Sequence, residues 1–192
     1  MHRSLVVLLL SYGGAAPAQV FVAGLGGAAA LSNGAAASAA PVSASNYDSK
    51  VGPAFNLEVG YHLNDWFSVQ AGYIWNRNRI VSTEVKGAAY SQEQATRVQH
   101  ALSGELLLYF RPRASAIRPY LSGGPAWVHV LSRDKPGLRV ATGVDLAIRS
   151  RLAFRYCFSE VLSPNPIGAA LHPPAGGKLM NFQNLFGVVK VF

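Results

Sequence analysis

The stretch Phe55-Asn-Leu-Glu-Val-Gly-Tyr-His-Leu-Asn-Asp-Trp-Phe-Ser-Val-Gln-Ala-Gly-Tyr73 decides the fold. Its first half puts Phe55, Leu57, Val59, Tyr61 and Leu63 on one side, and Asn56, Glu58, Gly60 and His62 on the other. A period of two is the signature of a half-polar β-strand. Asn64-Asp65 then supplies hairpin-turn chemistry. The second half resumes the alternation, with Phe67, Val69, Ala71, Tyr73 and Trp75 opposite Ser68, Gln70, Gly72 and Asn76.

The same pattern extends outward from this hairpin. Eight strands are predicted, near 19–31, 52–63, 66–76, 98–110, 118–130, 137–149, 151–162 and 180–192. Most exceed the roughly 5–6 residues of an ordinary soluble strand. They match the roughly 9–11 residues that a tilted strand needs to cross a bilayer. Leu102, Leu106, Leu108 and Phe110 oppose Ser103, Glu105 and Tyr109. Leu138, Val140, Val144, Leu146 and Ile148 oppose Arg139, Asp145 and Arg149. Leu152, Phe154, Tyr156 and Phe158 oppose Ala153, Arg155 and Ser159. Glu58, Glu105, Arg139, Asp145, Arg149 and Arg155 therefore share the polar register.

Parity alone does not say which side is the interior. A soluble secreted sandwich alternates as well, with its apolar face inward. Three further features favour a membrane barrel, in which the apolar face meets lipid. The strands are long. Met1-His2-Arg3, the apolar run Ser4–Leu10 and the small residues Ala16-Pro17-Ala18 follow the order of an export signal. Residues 1–18 are therefore read as a cleaved signal peptide and 19–192 as the mature domain. Aromatic residues gather at the strand ends. Tyr61, Trp66, Phe67, Phe110 and Tyr120 lie near short connections, and Trp75 and Trp127 near long ones. These seven are predicted to form the two interfacial girdles.

Composition narrows the function. Half of the residues are hydrophobic but only 14% are charged, against about 25% in soluble domains. No uncharged apolar run reaches the roughly 18 residues of a spanning helix. The net charge is +8, yet no dense basic cluster with interleaved aromatics is present. Nucleic-acid binding is not expected. The single cysteine, Cys157, lies within a predicted strand and reads as a small apolar filler.

Connections alternate between short (64–65, 111–117, 150) and long (32–51, 77–97, 163–179), with 131–136 the shortest of the long set. Short periplasmic turns and long external loops are the habit of outer-membrane barrels. The Ala- and Ser-rich segment from Ser32 to Lys50 carries little pattern and is expected to be mobile. Closure into a ring is expected because lipid offers no partner to an unpaired strand edge. Glu58, Gln70, Glu105, Arg139, Asp145 and Arg155 would then fill the lumen as a polar network of both signs, which argues against a wide pore.

The hairpin from Phe55 to Tyr73, the run Arg118-Pro-Tyr-Leu-Ser-Gly-Gly-Pro125 and the ending Asn184-Leu-Phe-Gly-Val-Val-Lys-Val-Phe192 together resemble small eight-stranded outer-membrane barrels of the OmpA/OmpX type. The resemblance covers most of 19–192. It implies an all-β, eight-stranded antiparallel up-and-down transmembrane β-barrel in the outer membrane of a Gram-negative cell envelope. It implies escort by periplasmic chaperones and insertion by the barrel assembly machinery, with Phe186, Val188 and Phe192 as the C-terminal assembly signal. Lys190 and Asn184 share that face and depart from the family pattern.

Chemistry is sparse. His100, Ser103 and Glu105 are the tempting catalytic residues, but on a strand His100 points away from the other two. His129 and Ser132 fail by the same parity. No catalytic, cofactor or metal residues are assigned, and the chain is read as a non-enzyme. Arg77, Arg79, Lys86 and Arg97 flank the second long loop, where they could meet the phosphates of lipopolysaccharide or simply be solvated. The expected role is structural or surface-interacting, as a monomer among outer-membrane lipids. A lipid-A-modifying enzyme and a narrow, porin-like solute channel are the alternatives.

Overall fold

The computed structural model describes residues 19–39 and 42–192; the proposed signal peptide lies outside the described residues. Among the described residues, ten strands form one antiparallel sheet: β1 (Gln19–Leu31), β2 (Gly34–Ala39), β3 (Val42–Ser49), β4 (Gly52–His62), β5 (Phe67–Lys86), β6 (Ala89–Tyr109), β7 (Ile117–Val130), β8 (Arg133–Arg149), β9 (Leu152–Pro164) and β10 (Lys178–Val191). Eight of them close a ring. β1 pairs with both β4 and β10, and the ring continues β4-β5-β6-β7-β8-β9-β10. Every strand of the ring is thus paired on both sides, which satisfies the backbone without water.

The alternation sorts the two faces. Leu57, Val59, Val69, Leu106, Leu121 and Val140 are exposed on the outer wall. Glu58, Gln70, Glu105, Arg139, Asp145 and Arg155 are all buried. A soluble sandwich would give the reverse. Glu160 departs from the sorting: it shares the outward register with Phe158 but stands near the end of β9. There a carboxylate can reach the interface.

Two long connections are strands. The segment 77–97 continues β5 and β6 beyond the membrane, in register from Phe67↔Leu108 to Lys86↔Ala89. About ten residues of each strand are surplus to the crossing, a projection of roughly 30 Å at 3.3 Å per residue. Gly87 turns the hairpin at φ +58, in the left-handed region where glycine is favoured. The segment from Ser32 to Lys50, expected to be mobile, contains a second hairpin, β2–β3, which docks on the projecting half of β5. Its anchor is Tyr47, which is buried with Leu31, Ile80, Ile167 and Leu171. The Tyr47 hydroxyl accepts a hydrogen bond from Asn165 Nδ2 at 3.0 Å, and burial raises its pKa. One anchoring aromatic among small residues leaves no periodic signal.

At the same end β7 and β8 meet in a two-residue turn. Leu131 and Ser132 both have positive φ, 54° and 56°, the twist-compatible arrangement of tight hairpins. The opposite end carries 63–66, 110–116 and 150–151, together with both ends of the ring. Projecting hairpins on one side and short turns on the other set the first side outward and the second toward the periplasm.

Candidate functional site: the filled lumen and its two mouths

The lumen is packed in layers. Toward the periplasm, Phe21, Leu107, Tyr109, Tyr120 and Val189 form an apolar cluster. Above it lie the charges. Arg155 Nε donates to Asp145 Oδ1 at 2.6 Å, and Nη2 donates to Asp145 Oδ2 at 2.8 Å. Arg155 Nη1 donates to Glu58 Oε2 at 3.1 Å. Arg139 Nη2 donates to the other oxygen, Glu58 Oε1, also at 3.1 Å, while Nη1 reaches Glu105. Glu58 thus bridges two arginines. Ser103 and Ser122 hydroxyls each donate to Glu105 at 2.8 Å. Five strands, β4, β6, β7, β8 and β9, are tied together by these bonds.

Desolvating a charge costs several kcal/mol, and pairing offsets it only where geometry and extra hydrogen bonds are good. Here each carboxylate has several donors. Gln70 lies beside this layer, register-paired with Glu105. A layer of amides follows outward, which sequence reasoning did not assemble. Asn181 Nδ2 donates to Asn76 Oδ1 at 2.8 Å, and Asn76 Nδ2 to Asn78 Oδ1 at 2.6 Å. Gln99 and Gln183 complete it. The signal was available, since each is in step with Asn76, Ser103 or Leu185 on its own strand.

Tyr120 requires a correction. It was expected in a girdle, but it is 2% exposed inside the lumen. Its neighbour Leu121 takes the outward position on β7. The ring packs 5.6 Å from that of Tyr109, and Arg155 Cζ stands 4.8 Å above it. Gly143, directly opposite, leaves the space that the ring fills. Proximity to a strand end suggested the girdle, but parity decides the side. Tyr61, Trp66, Phe110 and Trp127 are exposed on the outer wall, and Phe67 and Trp75 are half-buried. Phe186, Val188 and Phe192 are exposed, with Lys190 Nζ 5.1 Å from the Phe192 ring centre.

The residues considered for catalysis separate. Ser103 and Glu105 are bonded to each other inside the barrel. His100 is on the outer wall, its Nδ1 2.7 Å from the Tyr73 hydroxyl. His129, also outside, pairs with Asp134 at 2.8 Å. Among the described residues no three His, Cys, Asp or Glu side chains are grouped to hold a metal.

The outer cations divide as well. Arg77 and Arg79 face outward on β5 and, with Lys50 and Thr96, line a groove of about 410 Å³. Arg77 is two residues beyond Trp75 on the same face. Arg97 pairs in register with the inward Asn78 and instead borders a cavity of about 160 Å³ with Ile80, Leu131 and Leu171. Lys86 borders another groove near the hairpin tip.

Solved structures share this architecture. OprG from Pseudomonas aeruginosa superposes with a TM-score of 0.66 at 14% identity, over 93% of this chain and 98% of that one. Neisserial surface protein A gives 0.60 at 16% identity, over 92% and 100%. The N-terminal barrel domain of Pseudomonas aeruginosa OprF gives 0.51 at 12% identity, over 91% and 97%. At such identities the likeness is one of fold. No curated protein sequence matches. The family described as outer membrane protein beta-barrel domain matches residues 4–165, most of the chain, and this protein therefore belongs to that family of the bacterial outer membrane.

Proposed function

We propose that the protein is a monomeric, non-enzymatic barrel whose role is structural and surface-interacting. The observation that carries this reading is the lumen bridged by Arg139 and Arg155, which bind Glu58 of β4, Glu105 of β6 and Asp145 of β8. A cross-section filled by paired charges and amides offers rigidity rather than a path. The projecting β5–β6 and β2–β3 hairpins are the surface on which contacts with the cell exterior are made.

Arg77, Arg79 and Lys50 are the contacts to the outer leaflet. Their groove stands just above Trp75, at headgroup height, where guanidinium groups meet lipopolysaccharide phosphates. The outward row Phe186, Val188 and Phe192 is the assembly signal read by the barrel assembly machinery after chaperone escort. No cofactor enters this reading.

Planar-bilayer recording is the test. The purified barrel is expected to give no unitary steps. Regular steps that grow in an Arg139→Ala variant would replace this reading with that of a narrow channel. Lipopolysaccharide retained through purification by the wild type, and lost from an Arg77→Gln/Arg79→Gln variant, tests the outer contacts.

A further inference from the structure

The periplasmic mouth of the lumen holds positive charge that the ion-pair layer does not use. A cavity of about 70 Å³ opens there, bordered by His62, Arg113, Arg118, Asp145, Arg149 and Arg151. It lies where the turns 63–66, 110–116 and 150–151 converge. The carboxylates in reach are already committed. Asp145 is held by Arg155 and by the Tyr109 hydroxyl. Asp65 is held by Arg113 at 3.1 Å.

Among the described residues, Arg118, Arg149 and Arg151 have no carboxylate within 4.0 Å. Arg149 and Arg151 are exposed at the rim. Arg118 is different: it is only 8% exposed. Its Cζ lies 3.8 Å from the centre of the Tyr109 ring, and Nη2 donates to the Asp65 carbonyl at 3.3 Å. Its Nε is buried and has no acceptor among the described residues. A buried guanidinium with an unmet donor, backed by an aromatic face and flanked by two free guanidiniums, is prepared for an anion. The volume suits a small ligand, being a little over twice the roughly 30 Å³ share of one liquid water. The planar guanidinium fork pairs with two oxygens of a phosphate at once, which a halide cannot offer. The surplus of charge repels cations, and the enclosure strengthens attraction to an oxyanion.

We propose that this mouth binds a phosphate group, with Arg118 as its buried contact and Arg149 and Arg151 as its rim. The group can be free periplasmic phosphate or the headgroup phosphate of an inner-leaflet phospholipid, and the two sources share this chemistry. The site is independent of the outer groove and of the role proposed above.

The test uses the folded barrel in a zwitterionic detergent without phosphate, titrated calorimetrically with inorganic phosphate at low salt. Saturable binding that depends on the rim arginines is expected. An Arg149→Gln/Arg151→Gln variant, altered only at exposed positions, should bind roughly tenfold more weakly, about 1.4 kcal/mol. Its heat-modifiable migration on gels should be unchanged. Arg133→Gln, at an exposed position of the other end that lines neither site, should bind as the wild type does. In a second arm the barrel is placed in nanodiscs of phosphatidylcholine with and without phosphatidylglycerol, and phosphorus NMR is recorded. An immobilised signal that needs phosphatidylglycerol and both rim arginines identifies a headgroup as the source. Saturation by inorganic phosphate identifies the free ion. Absence of binding in both arms, or binding equal in the wild type and the rim variant, overturns the proposal.

Discussion

Arg155 holds Asp145 with two parallel hydrogen bonds across the β8–β9 pair, 2.6 Å from Nε and 2.8 Å from Nη2. The fork-to-fork geometry fixes the guanidinium plane, so Nη1 is left aimed at Glu58. Asp145→Asn removes the charge and leaves the buried arginine short of a partner. A loss of about 3–5 kcal/mol is expected in urea unfolding from lipid vesicles. Asp145→Leu combined with Arg155→Met should recover part of that loss, because neither charge is then buried alone. A double variant as unstable as the single one would show that the apolar pair does not pack.

Leu106 and Leu107 are sequence neighbours with opposite surroundings, the first exposed on the wall and the second buried in the lumen. Leu106→Arg places a charge in hydrocarbon. It should cost about 2–4 kcal/mol near the bilayer midplane. The same vesicle unfolding assay reads it. Tolerance at the level of an exposed loop substitution would contradict the assignment of the outer face to lipid.

Gly60 faces inward on β4, and a Cβ there would overlap the Phe21 ring. Phe21 cannot retreat easily, since Leu107, Tyr109, Tyr120 and Val189 pack around it. Gly60→Ala should lower stability by about 1–3 kcal/mol, the usual penalty for overpacking. A lowered gel-shift temperature of the folded band is the measurement. Gly104, whose added Cβ would meet nothing within 4 Å, is the control: Gly104→Ala should leave that temperature within a degree or so.

Ser132 occupies the second position of the β7–β8 turn at φ 56°. A left-handed conformation costs a non-glycine residue about 1 kcal/mol. Ser132→Gly should therefore stabilise the barrel by up to about 1 kcal/mol in the same unfolding assay. Leu131, also left-handed, is expected to respond differently. It packs against the outer apolar clusters, so Leu131→Gly trades relief of strain for lost burial.

The ring was legible because its signal is local. A strand between lipid and a polar interior must alternate, and β4 and β5 do so without interruption from Ala54 to Asn78. Ends were harder to read. Trp75 and the residues just beyond it look like the last turn before a loop, yet β5 and β6 continue as paired strands into water. There no lipid forces apolar residues onto one face, and the alternation fades while the pairing persists. The β2–β3 hairpin was illegible for a related reason: alanine and serine serve equally as strand or coil, and the partner that selects strand is the distant β5. Within the lumen, parity marks which charges point inward. It does not reveal that Glu58 spans two arginines, because that depends on the stagger between strands far apart in sequence. Tyr120 shows the opposite lesson, that parity outweighs a residue's customary place.

The seam between β1 and β10 joins Phe21 to Val191 and Leu31 to Asn181, residues separated by nearly the whole of the described chain. The largest loop in the molecule must therefore close before either strand has its second neighbour, and no fragment lacking one of these two can seal itself. Such long-range pairing is slow. Until that seam closes, the sheet carries two unpaired borders, each open to pairing with another chain.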